Sequence, residues 1–418
     1  MKKLFASLLT CVMLASVVFT GCGTNNDNSK ATPAANEKVT ISFWHGYTPE
    51  KEAILKEMIA RYQTENPNVV IVPKFTASGE EMLQKVQSAI LTNDIPDLVW
   101  GFPTWTGVLA SSGKLKELNT VVDDGMKKDI FKGLMDCGTL NGKLYSIPVE
   151  AGALVLIYNK DMFAEAGLKD APKDWDELYT YAKALTNDKH KGIWLPIKPD
   201  ERTTWTWETF LWQNSGSLLD SSEKAIAFDS EKGLEAFKMY AKFIKDGYSL
   251  KDIGNDPFIE KQAAMIFGTQ GAANSYISKY KMNVGVADLP KKDKIATGLG
   301  SNHLFIFKTG DKKEKAALDF CKWMTSGKNN AEWVTKTGYL PVSQSGVDSD
   351  VFKKFGSDNP HMLVAANTLK YGVARPAIEQ YPKISTLIAQ AIEYAAFDKK
   401  SPEDAFKDAA AEAKKILK

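Results

Sequence analysis

Cysteine and histidine are both scarce, with four of each in 418 residues. His45, His190, His303 and His361 show no metal-ligand spacing, and Cys137 and Cys321 match no zinc pattern, so no metal or cofactor is expected. A nucleophile elbow and a phosphate-cradling glycine loop are also missing. Glu150 and Glu208 can be nominated as a glycosidase-like pair, but no spacing singles them out among many carboxylates, and an enzyme is not expected. Charge of one sign is lacking too. The formal net charge is +2, and it falls to 0 once Lys2 and Lys3 leave with residues 1–21, which carry no acid. That balance argues against nucleic acid as a partner. Past the first residues no run is long and apolar enough to span a bilayer.

What is present begins with "MKKLFASLLTCVMLASVVFTGC", two lysines, a short apolar stretch and small residues before a cysteine. This is the pattern of a secretory signal. Phe19-Thr20-Gly21-Cys22 resembles the lipobox of bacterial lipoproteins, with Phe19 in place of the usual leucine. The resemblance implies a signal peptide over 1–21, a lipid on Cys22 and anchorage on the outer face of the cytoplasmic membrane. Residues 22–37, "CGTNNDNSKATPAANE", read as a flexible polar tether. Cys137 and Cys321 then read as two buried thiols, with pairing outside the cell as the alternative.

The remaining chain exceeds what one hydrophobic core usually supports, so two lobes are expected. "KVTISFWH", "VVIVPKF" and "PDLVWG" read as strands alternating with the helices "PEKEAILKEMIARYQTENPN", "EEMLQKVQSAILTND" and "WTGVLASSG". Such alternation predicts an α/β lobe with a mostly parallel sheet and a ligand beyond the carboxyl ends of its strands. From residue 172 the character becomes more helical, with "PKDWDELYTYAKALT", "WTWETFLWQNSG", "EKGLEAFKMYAKFIKDG" and "DPFIEKQAAMIFGTQGAANSYI" read as helices. "NVGVADLPKKD" and "SNHLFIFKTG" read as strands, "KEKAALDFCKWMTSG" as a helix completing the first lobe, and "SPEDAFKDAAAEAKKIL" as a serine-capped terminal helix.

"VEAGALVLIYNKDMFAEAGLKDAPKDWDELYTYAKAL" resembles the hinge-crossing segment of the maltodextrin-binding proteins of ABC importers. "PDLVWGFPTWTGVLASSGKLKEL" and "TGYLPV" are similar to motifs shared by extracellular solute-binding proteins for sugars and sn-glycerol-3-phosphate. Order and spacing match from about residue 38 to the end. The resemblance implies a type II periplasmic-binding-protein fold, two lobes joined by a three-crossing hinge that closes over a ligand. Residues 38–148 and 291–338 would form lobe I, and 149–290 and 339–418 lobe II. The crossings would lie near Pro148–Gly152, Asp288–Lys292 and Tyr339–Val342, each stiffened by a proline. The implied partners are a small carbohydrate and a membrane permease with its cytoplasmic ATPase, served by a monomer.

A sugar offers hydroxyls at its edges and apolar C–H patches on its faces, so its site needs aromatic platforms and hydrogen-bonding groups. Tyr47, Trp100, Phe102, Trp105, Trp205 and Trp207 stand where loops are expected. The resemblance places Glu150 of "PVEAG" against sugar hydroxyls, which a carboxylate suits. His45, Glu81, Asp200, Arg202, Gln270, Asn302 and Tyr339 complete the sugar candidates. Arg375 with Tyr339 is the arrangement a phosphate would need, which keeps sn-glycerol-3-phosphate as the alternative ligand. "GTQGAANSY" lacks the tryptophan pair that maltodextrin-binding proteins carry there, which counts against maltose itself.

Overall fold

In "VTISFWH" β-branched and aromatic residues alternate with partners of the opposite face, and Val39–His45 forms a strand (β1) that buries Ile41, Phe43 and His45 on one side. The computed structural model describes residues 38–251 and 256–418. The expected signal peptide, Cys22 and the tether lie outside the described residues.

The further strands are β2 (Val69–Phe75), β3 (Leu98–Gly101), the hairpin β4 (Thr139–Leu140) and β5 (Lys143–Leu144), β6 (Ser146–Asn159), β7 (Met265–Thr269), β8 (Val284–Ala287), β9 (Thr297–Ile306) and β10 (Gly372–Val373). One sheet runs β2-β1-β3-β9-β6-β7, with β10 beside β9 and β8 beside β6. β1 is parallel to both β2 and β3, as the alternation with helices predicts. From β3 onward the main path is antiparallel, so the expected mostly parallel sheets are in fact one mixed sheet. The reason is that β6 and β9 are long strands running in opposite directions from one lobe into the other.

These two strands make two of the crossings. Glu150 stands opposite Asn302 and Gly152 opposite Gly300, with a register irregularity between Pro148 and Glu150. The third crossing lies against β6, where Leu340 and Ala151 exchange backbone hydrogen bonds of 3.1 and 2.8 Å. Asp288–Lys292 is not a crossing. Leu289 is buried with second-lobe residues, and the Lys291 N–H donates to the Lys173 carbonyl at 3.1 Å. Pro290 lies in the loop between β8 and β9, and the chain returns through β9.

The segment 256–277, read from sequence as one helix, contains β7 followed by the helix Gln270–Ser278. A short apolar run buried on both sides has no period to separate the two structures. One large core gathers Ile41, Phe43, Leu98, Ile147 and Phe320 and continues along β6 to Ile266 and Tyr276. A second fills the space beneath the helices Trp175–Leu185, Glu201–Gln213, Glu231–Lys245, Tyr381–Ala396 and Pro402–Leu417. Cys137 and Cys321 are both free and buried.

Candidate functional site

The helix Glu201–Gln213 is built from residues that favour strands and loops, so its position is fixed by burial rather than propensity. Asp200 caps it, accepting from the Thr203 N–H at 3.3 Å. Several of its buried threonines bond locally or across the core: Thr206 donates to the Arg202 carbonyl at 2.8 Å and Thr204 to the Ser385 carbonyl at 2.6 Å. This places Trp205 over β9, where two glycines make room for it. A Cβ built on Gly298 would lie 2.2 Å from the indole Nε1, and one on Gly300 3.4 Å from Cη2. The indole therefore lies close against the strand, half-buried, and borders an open cleft.

That cleft measures about 920 Å³. Gly152 and Leu154 of β6 and Gly300, Ser301 and Asn302 of β9 form its floor, with Trp205 on one wall and Phe102, Thr104, Lys51 and Tyr339 on the other. Gln270 and Asn274 close one end. The Arg375 guanidinium lies 5.2 Å above the Trp205 ring and is paired with Glu201 at 2.5 Å. Burial works against that charge, but Tyr381 and Glu201 outweigh it and hold Arg375 cationic. Glu201 also accepts from the Tyr381 hydroxyl at 2.9 Å and Ser385 at 2.5 Å. Beneath them Glu208 is fully buried. Loss of water, and then the neighbouring Glu201, push its carboxyl well above the usual range. Lys51 lies 4.1 Å from the Tyr339 ring centre.

Ser301 reaches the His303 Nε2 at 3.0 Å, and Ser146 the Nδ1 at 2.9 Å. The pair looks like a hydroxyl with its base. Burial lowers this imidazole to about 3, leaving it too weak a base to activate the hydroxyl at neutral pH. Among the described residues no group of histidine, cysteine and acidic side chains could hold a metal ion, and no helix is long and apolar enough to cross a membrane.

The sequence profile described as bacterial extracellular solute-binding protein matches residues 57–364, well over half of the chain. The chain belongs to that family. The crystal structure of cyclic alpha-maltosyl-1,6-maltose binding protein from Arthrobacter globiformis is similar to this solute-binding protein at 28% identity and a TM-score of 0.86, covering 91% of this chain and 99% of that one. An ABC transporter solute-binding protein from Thermotoga lettingae bound with alpha-D-tagatose is 27% identical with a TM-score of 0.71, covering 91% of this chain and all (100%) of that one. Among curated proteins, the sn-glycerol-3-phosphate-binding periplasmic protein UgpB of Escherichia coli K12 is 24% identical over 412 residues, covering 92% of this chain and 94% of its own length. With the two-lobed architecture these likenesses place the fold among type II periplasmic binding proteins.

Of the residues singled out from sequence, Phe102, Arg202, Trp205, Gln270, Asn302, Tyr339 and Arg375 line the cleft. Arg202 does so from the first turn of the helix, where a loop was expected. The others do not reach it. His45 is packed among Phe43, Tyr47 and Phe75. Tyr47 and Trp100 pack against one another at a tilt, both buried, with ring centres 5.0 Å apart, and Trp105 folds back over Gly101 into a small core. Trp207 is fully enclosed by Phe228, Phe237 and Phe406. Two residues apart on a helix point about 200° apart, so Trp205 and Trp207 cannot both face the cleft. Glu81 points to solvent beside Lys85, and its neighbour Glu80 borders the cleft instead. Glu150 is wholly buried behind the floor. Sequence reading missed Glu201, Gly298 and Gly300. Two glycines in alternation inside a strand were the available signal.

Proposed function

We propose that this solute-binding protein captures a neutral oligosaccharide in the cleft between its lobes and presents it to an ABC permease driven by a cytoplasmic ATPase. The observation that carries the reading is Trp205, a flat aromatic platform held on a glycine strip and bordered by Asn302, Gln270, Asn274 and Glu201, which serve hydroxyls. A cyclic maltosyl-maltose binding protein and a tagatose-bound protein among similar structures support it. Closure about the crossings in β6, β9 and at Leu340 would need a ligand that binds the closed form better.

A second reading, sn-glycerol-3-phosphate, is favoured by Lys51, Arg202 and Arg375 in the same cleft and by the curated relatives. Against it, the buried cation Arg375 is already paired with Glu201. The lobes divide at the crossings, residues 38–148 with 303–338 against 149–302 with 339–418. The protein acts as a monomer held by a lipid on Cys22, and Cys22→Ala would release it from the membrane into the soluble fraction.

A thermal-shift screen against neutral oligosaccharides and sn-glycerol-3-phosphate separates the two readings. A ligand at ~100 times its Kd adds about 2.7 kcal/mol. A shift with an oligosaccharide is expected, and a shift with the phosphate alone overturns the sugar reading.

A further inference from the structure

The resemblance aims the Glu150 carboxylate at the ligand, yet both of its oxygens take donors from inside the protein. Oε2 accepts from the Asn302 side-chain amide at 2.6 Å and Oε1 from the Trp333 indole at 3.2 Å. The phenols of Tyr47 and Tyr339 stand close by, and burial together with this neighbouring carboxylate pushes both hydroxyls up. An ionised carboxylate only accepts, and each of its two oxygens here has a fixed donor of its own.

These neighbours come from separate parts of the chain. Glu150 lies on the first crossing, Asn302 on the second and Tyr339 at the start of the third, while Tyr47 follows β1 and Trp333 belongs to the helix Gly327–Thr337. Asn302 and Tyr339 are also cleft residues. Beside this cluster Asn330 repeats the pattern with the backbone: its amide donates to the Val149 carbonyl at 2.9 Å and its oxygen accepts from the Val342 N–H at 2.9 Å.

We propose that Glu150 is a positioning residue that ties the three crossings together and sets Asn302 and Tyr339 at the cleft floor, so that ligand affinity depends on it without contact. The proposal rests on the cleft being the binding site. Its chemical basis is the donor count. Glutamine of the same shape has one acceptor oxygen and brings two donors, so Glu150→Gln leaves donors facing donors while creating no cavity.

Two measurements on Glu150→Gln test it. The first needs no ligand. Hydrogen exchange in the unliganded protein is expected to rise about tenfold or more at all three crossings together, residues 148–152, 300–303 and 339–342. A rise confined to the neighbourhood of residue 150, or none, overturns the tie. Trp333→Phe, which removes one donor and keeps the packing, should reproduce a weaker form of the same pattern.

The second is a double-mutant cycle by calorimetry with Asn302→Ala, using maltotetraose and sn-glycerol-3-phosphate as probes. Each single variant is expected to weaken binding about 10–100-fold, and the double variant no more than the worse single one, because one acts through the other. Fully additive losses overturn the positioning role. If the wild type binds neither probe, the exchange experiment still decides the tie and only the choice of ligand has failed.

Discussion

Adding one methyl group to β9 separates the platform from its surroundings. Neither Gly298 nor Gly300 has a positive φ, so glycine is needed at these positions for space and not for torsion. At Gly298 a Cβ would sit 2.2 Å from the Trp205 Nε1, where ordinary contact begins at 3.4 Å, so the indole must retreat by about 1.2 Å (3.4 − 2.2). At Gly300 the contact is already 3.4 Å, and the indole can stay. Overpacking at Gly298→Ala should cost ~1–3 kcal/mol of stability. Displacing a buried aromatic anchor forfeits about 2 kcal/mol of binding, or roughly 30-fold in Kd. Gly300→Ala should remain within about 0.5 kcal/mol of the wild type. Urea midpoints and calorimetric titration with the best-binding oligosaccharide read both effects. Equal affinity in the two variants would refute the argument that Trp205 is placed by the Gly298 gap.

Glu208→Gln should flatten the fall of stability with rising pH. The folded state holds this proton more tightly than the unfolded state, so stability is full below the ordinary carboxylate pKa of ~4.3 and is lost as pH climbs towards the raised folded value. The slope of that one component is at most about 1.36 kcal/mol per pH unit, and urea midpoints at pH 5 and 8 should differ less in the variant. An unchanged difference would show that the carboxyl is not held up by burial. Trp207→Ala should cost ~3–5 kcal/mol of folding stability while leaving Kd within about threefold at a temperature where it stays folded. A large Kd change there would place Trp207 at the ligand.

The first lobe was legible because its strands are amphipathic or flanked by clear helix signals, and β1, β2 and β3 lie where the alternation puts them. The second crossing was not. Pro290 drew attention, whereas the strand that crosses begins with "TGLGSN", a sequence poor in β-branched residues whose pairing comes from β6. The helix Glu201–Gln213 was read four residues short, because "RTTWTW" has weak helix propensity and is held helical by burial on nearly every side. Aromatic residues announced a site but not their direction. Trp100 lies within the buried strand β3, and Trp105 after it folds back over Gly101, which has no side chain in the way. The surroundings of Glu150 are not legible in the sequence, since its partners Asn302 and Trp333 lie 152 and 183 positions away and only the fold brings them together.

The most direct test of the binding account is a calorimetric titration of the wild type and Trp205→Ala with neutral oligosaccharides and with sn-glycerol-3-phosphate. The account predicts that an oligosaccharide binds the wild type and that truncating the platform weakens it by roughly 30-fold or more, since an aromatic anchor contributes ~2 kcal/mol or above. Binding of glycerol phosphate alone, or an oligosaccharide affinity untouched by Trp205→Ala, would contradict it.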